Sequence, residues 1–284
     1  MTTSKLPTKS GIGLKPQHYE QILKQQPDIA WFEIHPENYF GNGGPAHHFL
    51  TKIAQDYPIS MHGVGLSLGS ANGLNKTHLK RLKKLVDRYQ PAVFSEHLAW
   101  CENNNQYFND LLPLPYNEES LEIFIKNVLD TQDTLKRSIL IENPSIYIQT
   151  PNQMSEIEFL NELIKKTDCG LLLDINNVYV SAFNLGFNPQ DYLDHFPTHA
   201  VQEIHLAGHS DKVLDKQPVK IDDHGSVVCN DVWQLYEHFI NKHGAISTQI
   251  EWDSNTPELN IWLDEAKKSD FIINNTLNKK AVLC

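Results

Sequence analysis

The chain has 284 residues, 40% of them hydrophobic, which is enough for a large core in one barrel-sized domain or two smaller ones. A formal net charge of −11 and only three arginines, Arg81, Arg88 and Arg137, argue against a nucleic-acid binder, which carries a basic face. No run approaches the roughly 20 apolar residues of a membrane span, and the opening "MTTSKLPTKSGIGL" lacks the apolar core of a secretory signal, so a cytoplasmic protein is expected.

Short apolar runs then alternate with longer helical patterns. The first strands expected are "GIGL" (11–14), "IAWFEIH" (29–35) and "PISMHGVG" (58–65). In "KTHLKRLKKLVDRY", Leu79, Leu82, Leu85 and Val86 fall on one helical face. After "PAVFSEHL" (91–98) the connection 99–117 is longer than a helix requires. Asn117 or Glu118 then starts a helix whose apolar face is Leu121, Phe124, Ile125, Val128 and Leu129. Next come "SILIEN" (138–143), "GLLLDI" (170–175) and "VQEIHLA" (201–207). A second long connection, 206–230, precedes "STQIEWD" (247–253). Eight strands alternating with helices predict an α/β fold, a (β/α)8 TIM barrel. It is expected as a single domain over 1–284, with its core at about 10–270 and a C-terminal tail. The alternative is a doubly wound open sheet.

The strand ends carry the chemistry. "LLLDINN" runs three leucines into Asp174, Asn176 and Asn177, which alone reads as ordinary turn residues. The other strands end alike: His62, then Glu96 and His97, then Glu142, then His205 with His209 four residues on, then Glu251. The loop after the seventh strand adds Asp222 and His224. Barrel enzymes place their active residues at this end of the strands, where dispersed positions converge. Lysine and arginine are nearly absent from the strand stretches, so these acids need another cation, and a metal supplies it. The four cysteines (Cys101, Cys169, Cys229, Cys284) form no CxxC and read as free thiols. Carboxylate and imidazole without thiolate suit iron, manganese or zinc. The order suggests Glu142 as a bridge between one site with His62 and His97 and a second with Asp174, His205 and Glu251. Asp222, His224 and an amide, Asn177 or Asn176, would hold a third.

The series "GIGL", "FEIHPENYF", "MHGVGLSLG", "SEHLAW", "NDLLPLPYNEESL", "IENPS", "LLLDINNVYVSA", "EIHLAGH", "IDDHG" and "IEWD" resembles the multinuclear nonheme iron-dependent oxidases that modify ribosomal peptides, as in methanobactin biosynthesis. It also resembles, more distantly, the xylose isomerase-like metal barrels that include endonuclease IV. The resemblance covers about residues 10–270. It implies two or three irons, dioxygen as co-substrate, a cysteine-containing peptide as substrate and a separate partner protein that presents it. It implies His62, His97 and Glu142 at a first iron, Glu142, Asp174, His205 and Glu251 at a second, and Asn177, Asp222 and His224 at a third. Glu37, Asn38 and His209 are read as substrate-contacting or as supports of the ligands, and Cys101 as an idle thiol. The competing classes are a non-redox phosphoesterase or sugar isomerase on the same barrel, and a metal-binding scaffold. An open multi-metal mouth disfavours the scaffold, because structural sites are closed.

Overall fold

The computed structural model describes residues 5–103 and 106–283. In chain order its strands are β1 (Ser10–Gly13), β2 (Trp31–Ile34), β3 (Ile59–His62), β4 (Val93–His97), β5 (Trp100–Asn103), β6 (Gln106–Leu112), β7 (Leu140–Glu142), β8 (Gly170–Asp174), β9 (Val201–Leu206), β10 (Ser210–Leu214), β11 (Gln217–Ile221) and β12 (Ser247–Ile250). The helices are α1 (Tyr19–Gln25), α2 (Pro45–Ile53), α3 (Lys76–Tyr89), α4 (Glu118–Leu135), α5 (Glu156–Thr167), α6 (Ile175–Leu185), α7 (Pro189–His195), α8 (Asn230–His243) and α9 (Leu259–Leu283). The eight expected strands form a closed barrel in the order β1-β12-β9-β8-β7-β4-β3-β2. A closed ring has no sheet edge, which removes the open-sheet alternative. The long connections 99–117 and 206–230 hold two antiparallel hairpins, β5–β6 and β10–β11. Asn104, Asn105 and Cys284 lie outside the described residues.

The chain divides into two compact units, one built on residues 34–144 and 150–172, the other on 6–33, 145–149 and 173–283. In the first, β3, β4 and β7 pair in parallel, with His62 beside Ser95 and His97 beside Glu142. Helix α3 buries Leu79, Leu82, Leu85 and Val86 as its spacing predicts, and Asn75 caps it by accepting from the amides of Thr77 and His78. Asn117 caps α4 in a reciprocal capping box with Ser120. The buried face of α4 differs from the expectation. Leu129 is exposed and Ile125 half-buried, while Asn127 and Thr131 are buried. The cause is local: Asn127 Nδ2 donates to the carbonyls of Leu68 (2.8 Å) and Ser70 (3.1 Å), so α4 covers loop backbone there rather than apolar surface.

In the second unit β1 joins β2 and β12, and β12 joins β9, all in parallel. Gly11 stands in register with Trp31, and a Cβ at Gly11 would lie 2.3 Å from the indole. Only glycine lets this buried ring close over the neighbouring strand. Helix α6 starts directly where β8 ends. Asp174 is its N-cap, with Oδ1 accepting from the Asn177 amide at 2.6 Å. The carboxylate after three leucines is therefore first a helix cap, and it stands at the strand end where the barrel places chemistry.

Candidate metal centre

In the first unit three ligand atoms converge. His62 Nε2 and His97 Nε2 lie 3.1 and 3.0 Å from Glu142 Oε2, and 3.2 Å from each other. His62 and Glu142 are each 1% exposed, and His97 is 12% exposed. Ligands at about 2.1 Å from one ion stand roughly 3 Å apart, so this triangle has the dimensions of one face of a coordination shell. The far side of each ring is fixed. His97 Nδ1 donates to the Gly63 carbonyl at 3.2 Å, which leaves its Nε2 with a lone pair. His62 Nδ1 lies 2.8 Å from Ser95 Oγ. Such outer partners set ring orientation and tautomer in metal sites.

The second unit gathers more charge. His205 Nδ1 is 3.0 Å from Glu251 Oε2, and its Nε2 is 3.3 Å from Glu33 Oε1. His224 Nδ1 lies 3.4 Å from Glu251 Oε2 and from Asp253 Oδ2, and its Nε2 lies 2.6 Å from Asp222 Oδ1. Yet His224 Nε2 and Glu251 Oε2, both buried, are not aligned for a hydrogen bond with any described group. Nε2 faces the Asp222 carboxylate and Oε2 faces the Nδ1 atoms of His205 and His224, and a cation beside each would satisfy it. The donor set therefore fits a hard or borderline metal ion.

The electrostatics agree. Burial opposes charge on His205, but Glu33, Glu251 and Glu203 outweigh it and hold the imidazolium well above its ordinary range. Burial likewise opposes charge on His224, and Asp222 and Glu251 reverse it. Glu251, despite burial, is held well below the usual carboxylate range by His224 and His205. Glu203 is pushed up to about 7 by burial and by the charge of Glu33. Clustered acids here demand positive charge, from protons on the imidazoles or from a metal.

A family model described as RiPP precursor modification enzyme MbnB/TglH/ChrH matches residues 9–274. The chain belongs to this family. Its members are enzymes that modify the precursors of ribosomally made peptides, so the substrate is a peptide. A UPF0276 protein of Vibrio vulnificus is 51% identical over 268 residues, spanning 94% of this chain and 92% of that one. Among solved structures, a xylose isomerase domain protein of Salmonella typhimurium aligns over 100% of this chain and 98% of its own, with a TM-score of 0.55 and 13% identity. Endonuclease IV of Thermus thermophilus aligns over 95% and 99%, with a TM-score of 0.54 and 14% identity. These likenesses are of fold: both structures share the barrel architecture described above.

The remaining expected site residues of this family member divide. Glu37 Oε1 accepts from the amides of Val64 (3.2 Å) and Gly65 (3.1 Å) and meets His78 Nε2 at 3.1 Å, so it anchors the loop after β3. Asn38 is exposed on the short helix Pro36–Tyr39. Glu96 turns away from His97 and lies beneath Gly63, where a Cβ would meet its carboxylate at 2.2 Å. His209 has both nitrogens engaged, Nδ1 with Asn176 Oδ1 (2.8 Å) and Nε2 with Lys220 Nζ (3.2 Å). Asn176 Nδ2 donates to Asp222 Oδ1 at 2.8 Å. Sequence reasoning missed Glu33 and Glu203, fully buried and grouped with His205. The signal was present: Glu203 stands two residues before His205, on the same face of its strand.

Proposed function

We propose that this family member is a multinuclear nonheme iron enzyme. In this reading it oxidises cysteine residues of a ribosomally made peptide with dioxygen, the peptide being presented by a separate partner protein. The observation that carries the reading is the convergence of the buried His62 and Glu142 with the half-buried His97, three N/O donors within 3.2 Å of one another. Two imidazoles and one carboxylate are the ligand set of oxygen-activating iron sites, and these three residues would hold such an iron. Iron supplies the redox capacity that cysteine oxidation needs and zinc lacks.

The chain's own part is to hold, orient and shield. Glu142 is assigned the carboxylate shared between two ions. Asp174, His205 and Glu251 are assigned to the second ion, with Glu33 orienting the His205 ring from its far side. Asn177, Asp222 and His224 are assigned to a third. Asn176, occupied at both ends by His209 and Asp222, is unsuited as a ligand, which favours Asn177. An iron held in the centre would bind the peptide thiolate in preference to water, since the thiolate is the softer donor. Electrons leaving the cysteine are accepted by dioxygen. No protein nucleophile is required.

The test incubates iron-loaded protein with peptide and partner, with and without oxygen, and follows peptide mass. Turnover should require oxygen and should vanish when the target cysteine is replaced by serine. A mass change that proceeds equally under strict anaerobiosis, or equally on the serine peptide, would overturn the oxidase reading in favour of hydrolytic or isomerase chemistry.

A further inference from the structure

A directed chain of hydrogen bonds runs inward from the β10–β11 hairpin to Asp222. It starts at Lys220, which is only 8% exposed although it carries a charge. Its Nζ donates to Asp211 Oδ1 at 2.7 Å and lies over the rings of Tyr179 (5.2 Å) and Phe183 (4.9 Å). Its backbone is clamped by Asn184, whose Nδ2 donates to the Lys220 carbonyl while Oδ1 accepts from the Lys220 amide. Burying an ammonium is costly unless it is paired, and Asp211 with the two aromatic faces receives this one.

Chemistry fixes the direction of every link. An ammonium has donors only, so His209 Nε2, 3.2 Å from Nζ, must accept. The ring then carries its proton on Nδ1, which donates to Asn176 Oδ1 at 2.8 Å. That turns the amide's Nδ2 toward Asp222 Oδ1, also at 2.8 Å. A carboxylate accepts only, so the inner end demands the same direction as the outer end. No member of the chain needs to change charge.

We propose that Lys220 is a positioning residue for the Asp222–His224 end of the metal centre. Acting through His209 and Asn176, it fixes the Asp222 carboxylate beside His224 Nε2, 2.6 Å away. This rests on the metal-centre reading above. The hairpin that fills the long connection after β9 thereby becomes part of the site's support, and the outer partner of the chain is the exposed Asp211.

The test uses the full chain and two readouts. In metal-free protein, nitrogen-15 NMR of the His209 ring should find the Nδ1–H tautomer in the wild type. Lys220→Met should release it toward Nε2–H, and Lys220→Arg, again a donor only, should retain Nδ1–H. In protein titrated with Fe(II) against a competing chelator under anaerobiosis, Lys220→Met should weaken the weakest-binding ion roughly 10- to 100-fold, the usual cost of losing an outer partner, and leave the tighter ions unchanged. Lys220→Arg should restore it. One link further in, His209→Leu should weaken the same ion, whereas His209→Gln, able to accept at one end and donate at the other, should keep most of the affinity. A wild-type Nε2–H tautomer, or a Lys220→Met protein with unchanged affinity, overturns the positioning role while the metal centre stands. A wild type that binds no ion overturns the metal centre and the role with it.

Discussion

Single residues decide the centre through the parity of a strand. Side chains two apart share a face, so Ser95 stands under His97 and Glu203 under His205. The outer candidates, His62, His97, Glu142, Asp174, His205 and Glu251, were legible because each interrupts an apolar run at its end. Of their inner neighbours, Glu203 shares the strand parity of His205, whereas Glu33, a lone acid inside an apolar run, reads as a surface position. Asp174 has two roles that sequence could not separate, cap of α6 and candidate ligand. The bridging assignment gives an expected outcome. Glu142→Ala should lose two ions per chain, whereas Asn177→Ala should lose only the weakest, as counted by elemental analysis of anaerobically loaded protein. An unchanged metal count in Glu142→Ala would remove the bridge.

Elements position these residues through short connections and caps. The barrel strands were legible because each is apolar and ends in turn or helix signals. The hairpins β5–β6 and β10–β11 were not. Most of β10, Ser210–Leu214, is exposed, as is much of β6, so neither has the buried alternation that marks a strand. The face of α4 was misjudged for a related reason, because Asn127 serves the backbone of the loop after β3 and a periodicity of apolar residues cannot register it. This predicts an ordering of stabilities. Asn127→Leu strips the partner from two buried carbonyls and should cost roughly 2 kcal/mol. Asn117→Ala removes only the cap of α4 and should cost about 1 kcal/mol. Urea denaturation of metal-free protein checks both, and an Asn127→Leu protein as stable as wild type would contradict the role given to that amide.

At the scale of the molecule, parallel strands bring carboxylates and imidazoles far apart in sequence to neighbouring strand ends, as with His97 beside Glu142. Among the described residues no helix is long and apolar enough to cross a membrane. The net charge of −11 now has a partial explanation, since the centre itself is rich in carboxylates that a multivalent cation would neutralise. Removing such a cation leaves the acids to repel one another, so chelation should lower the melting temperature, and restoring Fe(II) should raise it again. The fold class and family were legible in the sequence. The identity of the metal was not, because carboxylate and imidazole ligands serve iron, manganese and zinc alike. The most direct measurement is therefore the metal content of anaerobically purified protein, with iron spectroscopy on the same sample. The account predicts about two to three irons per chain, the number that nine N/O ligands support at several ligands per ion. Stoichiometric zinc without iron, in a protein active with zinc alone, would contradict it.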